Sequence, residues 1–288
     1  MSRIAYVNGR YVEHAQAMVH IEDRGYQFAD GVYEVCEVAR RNIVDMRRHL
    51  DRLERSLSEL RISWPLARRS LEIVLREVVN RNGVENGLVY LQVTRGVARR
   101  DHFFPSPDTP PSIVVTARRS DPVLSDAKAE KGVCVITVPE NRWERVDIKS
   151  VGLLPNVLAR QQAKEAGAQE AWFVDEEGYV KEGASTNAWI VTGDGVLVTR
   201  PADFGILRGI TRTTIFDVAA ELGLTIEERG FTVAEAQAAR EAFMTAATTI
   251  VMPIVEIDGV PVGNGHPGSV ALSLRSAFFA IAEKTPAC

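Results

Sequence analysis

Leu50, Leu53, Leu57 and Leu60 recur at helical spacing, and they follow closely on residues 31–38 (Gly-Val-Tyr-Glu-Val-Cys-Glu-Val), which alternate as a strand with one buried face. A chain whose hydrophobic period changes from two to about 3.6 over so short a distance is built to lay a helix on one face of a sheet. The same elements recur beyond. Leu71, Val74, Leu75 and Val78 mark a second helix that stops at Asn82-Gly83, and residues 88–94 and 113–117 read as strands. Ahead of them, residues 4–7 and 10–12 flank Asn8-Gly9, the signal of a type I′ hairpin. The second half resumes with a strand at 133–138, a helix after Pro155 ending at Gly167, and a hairpin turning at Glu177-Gly178. Ile215, Val218, Ala219 and Leu222 mark a helix closed by Gly223. Thr232 and Glu235 have capping-box spacing, and an apolar-faced helix closes the chain from about Ser269. Helices and strands are not in strict βαβ alternation, which predicts an α+β fold.

At 288 residues the chain is long for one domain and suits two. The segment Ser120-Asp-Pro-Val-Leu-Ser-Asp126 carries breakers and weak periodicity, so the expected division is an N-terminal α/β domain over 1–120, a linker at 121–126 and a C-terminal domain over 127–288. A net charge of −4 with no dense basic block gives no reason to expect nucleic acid. Arg47, Arg48, Arg52 and Arg55 alternate with leucines and read as the solvated side of an amphipathic helix. Cys36, Cys134 and Cys288 lack metal-ligand spacing and fit a reducing compartment. The first residues show no signal-peptide core, and no apolar run is long enough to cross a bilayer, so a cytoplasmic protein without a membrane partner is expected.

Lys149 is the most informative single residue. It lies in Val146-Asp-Ile-Lys-Ser-Val-Gly-Leu-Leu154, a mostly apolar setting in which a desolvated, neutral amine would serve as a nucleophile. The plainer alternative is a lysine that snorkels to solvent or pairs with Asp147. The cluster Lys181-Glu182-Gly-Ala-Ser185-Thr186-Asn187 lies between strands and offers hydroxyls, backbone N–H groups and a carboxylate suited to a pyridine nitrogen, or is simply a polar loop. Residues Leu207-Arg-Gly209-Ile210-Thr211 run straight into a helix, a natural phosphate seat or an ordinary helix cap. Ala246-Ala247-Thr248-Thr249 is a further candidate anion turn. Arg100 and His102 are donors suited to a carboxylate, or part of a solvated charge cluster. Two signals are set aside. Gly263-Asn-Gly-His-Pro-Gly268 matches a dinucleotide fingerprint but contains Pro267 and has no room for a βαβ unit, and the five histidines lack ligand spacing, so no metal is expected.

Taken in order, these segments resemble the fold-type IV pyridoxal-phosphate enzymes, most closely the D-amino acid aminotransferases, over nearly the whole chain. The matching motifs are Glu22-Asp-Arg-Gly-Tyr-Gln-Phe-Ala-Asp-Gly-Val-Tyr-Glu-Val35, His49-Leu-Asp-Arg-Leu53, Gln92-Val-Thr-Arg-Gly96, Asp147-Ile-Lys-Ser150, Glu182-Gly-Ala-Ser-Thr-Asn187, Leu207-Arg-Gly-Ile-Thr-Arg212 and Ile254-Val-Glu-Ile-Asp-Gly259. The resemblance implies pyridoxal 5′-phosphate held as a Schiff base on Lys149 by the C-terminal domain, with Glu182 facing the pyridine nitrogen. It places the phosphate on Arg52 and the Ile210-Thr211 turn, with help from Ala246, Ala247 and Thr248. Ser185, Thr186, Leu207 and Gly209 fall in the same cofactor-binding motifs. Tyr33, Arg100 and His102 fall where the family traps the substrate carboxylate. The loop with Arg100 and His102 reaches a neighbouring subunit in the family, which implies a homodimer.

The expected reaction is ping-pong transamination between small D-amino acids such as D-alanine and 2-oxo acids such as 2-oxoglutarate or pyruvate. Alternatives on the same fold are branched-chain L-amino acid transamination, R-selective amine transamination and aminodeoxychorismate lysis. A binding protein that stores the cofactor without turnover is a further one. The Arg100 and His102 pair favours a carboxylate-bearing substrate. Two departures from the family stand out: Ala246 and Ala247 occupy a turn where relatives carry hydroxyls, and Val151-Gly152 follows Lys149-Ser150 where relatives often have a larger polar residue.

Overall fold

The Asn8-Gly9 turn forms as its residues dictate, with φ of 43° and 92° and Val7 opposite Arg10 in the hairpin. The structure, a computed structural model, describes residues 3–287. Met1, Ser2 and Cys288 lie outside them. The chain forms two compact units: one contains the residues up to Pro122, residues 148–152 and those from Glu283, and the other residues 123–147 and 153–282.

The first unit is built on a seven-stranded antiparallel sheet. Its strands are β1 (Ile4–Val7), β2 (Arg10–Glu13), β3 (Gly31–Ala39), β4 (Asn42–Val44), β5 (Gly87–Thr94), β6 (Ser112–Arg119) and the late β16 (Lys284–Pro286), in the order β16-β4-β3-β5-β6-β1-β2. A short helix α1 (Arg24–Phe28) precedes β3, and α2 (Met46–Glu59) and α3 (Arg68–Arg81) follow β4. Val32, Glu34, Cys36 and Val38 of β3 are buried, while the residues between them are only half-buried. The buried face meets Leu50, Leu53 and Leu57 of α2 and Leu71, Leu75 and Val78 of α3 in one core. Arg52 departs from the expected solvated face: its side chain is only 9% exposed, because it turns inward to pair with Glu34 of β3.

The second unit carries α4 (Pro122–Lys131), β7 (Val133–Pro139), α5 (Leu154–Glu165), β8 (Glu170–Val174), β9 (Val180–Gly183), β10 (Asn187–Val191), β11 (Leu197–Thr199), α6 (Ile210–Glu221), β12 (Ile226–Glu228), α7 (Val233–Gln237), β13 (Glu241–Ala246), β14 (Ile250–Ile257), β15 (Val260–Pro261) and α8 (Ser269–Ile281). Its nine-stranded sheet is mixed, with β7 parallel to both β8 and β14 and β11 parallel to β12. Together the two sheets make an α+β protein. The units divide after Pro122, within the expected 121–126 stretch, and residues 122–126 of it are helical, opening α4 with Pro122 at the first helical position, where its missing N–H costs nothing. Residues 148–152 depart from the expected division, since they belong with the first unit. No helix among the described residues is long and apolar enough to cross a membrane.

Candidate active site

In the first unit, residues 149–151 extend the sheet alongside the start of β3. Tyr33 donates its N–H to the Lys149 carbonyl and Val151 donates to Gly31, each at 3.0 Å. From the helix side, Ser56 of α2 accepts the Lys149 N–H at 3.3 Å. A sheet edge and a helix thus fix the main chain that carries the lysine. Its side chain reaches the Tyr33 ring, with Nζ 4.1 Å from the centroid, and Tyr33 in turn stacks on Tyr90 at 5.8 Å. Burial, and secondarily Tyr33, pushes the Tyr90 hydroxyl up to about 12. The apolar flanks predicted an enclosed amine, but Lys149 is only half-buried; its neighbours Asp147 and Ile148 are the buried ones. The Asp147 carboxylate takes Arg145 at 2.9 and 3.1 Å.

Arg52 lies one turn before Ser56 on α2. Its Nε and Nη2 each donate to Glu34 at 2.8 Å, and His49 Nδ1 approaches the same carboxylate at 2.7 Å. Burial pushes Glu34 up, but the Arg52 guanidinium and His49 outweigh it and hold the carboxyl at about 2. Burial holds His49 low and therefore neutral, so its Nδ1–H donates to Glu34. Glu34 thus holds the Arg52 guanidinium in one orientation.

Arg100 and His102 lie in this unit too. The Arg100 guanidinium lies 5.1 Å from the Phe28 ring centroid, and the His102 ring lies 5.6 Å from it. Arg24 also covers Phe28, pairs with Asp30 at 2.8 Å and donates to the Asp101 carbonyl at 2.7 Å, so it holds the loop between the two donors. The ring contacts of Arg100 and His102 thus run to Phe28, and those of Tyr33 to Lys149 and Tyr90.

In the second unit, Glu182 on β9 is buried and receives three hydrogen bonds. Arg142 Nη1 reaches Oε1 at 2.6 Å, while Asn187 Nδ2 and the Leu207 N–H reach Oε2 at 3.0 and 3.1 Å. Burial raises the pKa of this carboxyl above its ordinary value, with Arg142 acting against the rise. Asn187 Nδ2 also donates to the Leu207 carbonyl at 2.9 Å. Two residues on, Gly209 caps α6 and leaves no room for a side chain: a Cβ there would sit 2.0 Å from Asn187 Oδ1. The first-turn N–H groups from Ile210 and Thr211 onward have no partner within the helix. One buried asparagine therefore joins a carboxylate to a helix N-terminus.

The remaining candidates divide. Ser185 spends its hydroxyl on Glu170 at 2.7 Å. Thr186 Oγ1 is buried with no partner among the described residues. In the turn after β13, Ala246 and Ala247 are half-buried and Thr248 is exposed. The hydroxyl buried without a described partner there belongs to Thr249, whose carbonyl Arg275 fixes at 2.6 Å. Thr249 is the last residue of the anion turn that the sequence suggests, beyond the three that the family resemblance singles out. Sequence reading missed Arg142, for which only a charge close to an apolar strand gives a hint.

These donors have the chemistry that pyridoxal 5′-phosphate requires. Unspent hydroxyls and an open helix N-terminus suit a phosphate, and a buried carboxylate with accepting capacity left on Oε1 suits a protonated ring nitrogen. The amino-transferase class IV family matches residues 31–257, and the chain belongs to that family. It is an aminotransferase, and its class uses pyridoxal phosphate. Over 283 residues it is 40% identical to a D-alanine aminotransferase of Listeria monocytogenes, covering 98% of this chain and 96% of that one. A D-alanine aminotransferase of Bacillus licheniformis is 38% identical over 94% of each chain. Among solved structures, the branched-chain amino acid aminotransferase of Escherichia coli superposes at a TM-score of 0.88. It is 25% identical, with 98% of this chain and 94% of that one covered.

Proposed function

We propose that this enzyme transfers the amino group of D-amino acids, D-alanine among them, to 2-oxo acids, with pyridoxal 5′-phosphate carried on Lys149 as a Schiff base. The observation that carries this reading is the link through Asn187 between the buried Glu182 carboxylate and the open N-terminus of α6. It supplies ring-nitrogen and phosphate partners in one rigid piece. When bound, the cofactor supplies an electron sink for the bond broken at the substrate's α-carbon. Lys149 Nζ would carry the proton from the substrate's α-carbon to the cofactor carbon C4′, a task suited to an amine on a fixed main chain with a partly open side chain. Glu182 keeps a proton on the ring nitrogen. Arg52, held by Glu34, and the first turn of α6 bind the phosphate, with Thr186 and Thr249 as further donors.

Arg100 and His102 bind the substrate carboxylate from the loop ordered by Arg24. The trap is completed by a second copy of the chain, as the resemblance to the family implies. Exposed Met18, Ile21, Tyr26 and Phe103 in that unit, and Leu154, Val157 and Leu158 on α5, supply apolar surface for such a homodimer. The unpaired thiols of Cys36 and Cys134 fit a cytoplasmic setting.

The test joins labelling to a donor panel. Borohydride reduction of the holoenzyme should fix the cofactor to Lys149, and the visible band should bleach with D-alanine and recover with 2-oxoglutarate. A label on another residue overturns the assignment of Lys149. Bleaching by L-leucine but not D-alanine replaces the D-amino acid reading with the branched-chain one, which the structural neighbour makes the natural second choice.

A further inference from the structure

The hydrogen bonds do not end at Glu182. Arg142 gives Nη1 to Glu182 but directs Nε (2.9 and 3.2 Å) and Nη2 (2.6 Å) to Glu140, whose Oε1 also accepts the Arg142 main-chain N–H at 3.0 Å. The guanidinium lies against the Phe173 ring, 4.3 Å from its centroid, and its side chain and that of Glu182 are each only 6% exposed. Three charges therefore stand in a row, negative, positive, negative, and the connected group carries one net negative charge. Of the other cations nearby, Lys181 near Glu140 is half-buried and screened by solvent, and Arg212 near Glu182 is paired with Glu228 at 2.6 Å.

The arithmetic of this row has a chemical result. An Arg142–Glu182 pair alone would be neutral, and its carboxylate would gain little from meeting a further cation. With Glu140 drawing on the same guanidinium, the row has an unbalanced charge in a low-dielectric place, where an opposite charge is held strongly. Among the described residues Oε1 of Glu182 accepts only the Arg142 bond, and it keeps a lone pair for another donor.

We infer that Glu140 is a positioning residue for the transamination chemistry: through Arg142 it leaves Glu182 with enough negative charge to keep the ring nitrogen of bound pyridoxal phosphate protonated. The inference rests on the proposed function, in which Glu182 faces that nitrogen.

The experiment loads wild-type, E140Q, E140D and E182Q proteins with ¹⁵N-labelled pyridoxal 5′-phosphate and reads the ring resonance, alongside kcat and KM for D-alanine. In E140Q the resonance should move toward its unprotonated position, and kcat should fall about tenfold, the scale of loss when an outer partner of a functional group is removed. KM for D-alanine should change less than about twofold. E140D, which keeps the charge, should restore both signals, and E140A repeats the test if E140Q does not fold. An E140Q or E140A protein whose ring resonance and kcat match the wild type overturns the inference. An E182Q resonance that does not move either shows that the ring nitrogen does not face Glu182, which is a failure of the underlying assignment and is distinguishable from the first.

Discussion

Glu34 in the first unit and Glu182 in the second are both buried, both paired with an arginine and both given three hydrogen bonds, yet their acidities move in opposite directions. Glu34 takes a two-point bond from Arg52 and a third from His49, and its carboxyl is held at about 2 against the rise that burial alone would cause. Glu182 takes one bond from Arg142, which gives its other nitrogens to Glu140, and burial prevails. The difference is one of sharing. An arginine that gives two of its nitrogens to one carboxylate is held in one position with its charge balanced, as Arg52 is by Glu34. An arginine divided between two carboxylates leaves one of them short of positive charge and receptive to a cation.

The strongest way to break this comparison is E34Q. It removes the carboxylate that Arg52 bonds at two points and should cost about 3–5 kcal/mol of stability, read as a lower urea midpoint at neutral pH. An unchanged midpoint would mean that the pair is not closed in solution. The same pair predicts an acid response. Because the folded pKa of Glu34 lies below its ordinary value of 4.5, its contribution is complete above that pH and is lost as pH falls through about 2. A melting series over that window should drop less steeply in E34Q than in the wild type. E182Q should show the reverse profile. Its kcat should fall about a hundredfold, near 2.7 kcal/mol in the barrier, while the apo-protein melts no lower at neutral pH, since it loses a carboxylate that burial disfavours. If E182Q instead unfolds and E34Q only slows turnover, the two roles have been assigned the wrong way round.

What the sequence disclosed follows from how local each signal is. The hairpin at Asn8-Gly9, the α2 and α3 leucine stripes, the stop near Gly83 (φ 55°) and the Thr232 cap accepting the Glu235 N–H at 3.2 Å are settled by residues a few positions apart. Glu182 and the α6 start were legible because a polar motif stands between apolar strands. The misses depend on distant partners or on a signal with two meanings. Pro122 reads as a breaker where it opens α4. Residues 148–152 take their place from β3 and Ser56, far away in the chain. Arg52 looks like one more exposed arginine of α2, because nothing near it announces Glu34. Arg142 is invisible for the same reason: its importance lies in two carboxylates, and the one that names its function is forty residues away.

The smallest expected effect tests the rigidity that the Glu182 side of the comparison needs. In G209A the new methyl would sit 2.0 Å from Asn187 Oδ1. Asn187 cannot yield without loosening its bonds to Glu182 and to the Leu207 carbonyl, at 3.0 and 2.9 Å. Overpacking of this kind costs about 1–3 kcal/mol, and the strain falls on both the carboxylate and the helix end that follows it. The affinity of the apo-protein for pyridoxal phosphate should therefore fall roughly in step, by about tenfold, with the urea midpoint lowered less than in E34Q. A G209A protein that binds the cofactor as tightly as the wild type would show that Asn187 has slack, and that the ring-nitrogen and phosphate partners are held independently of each other.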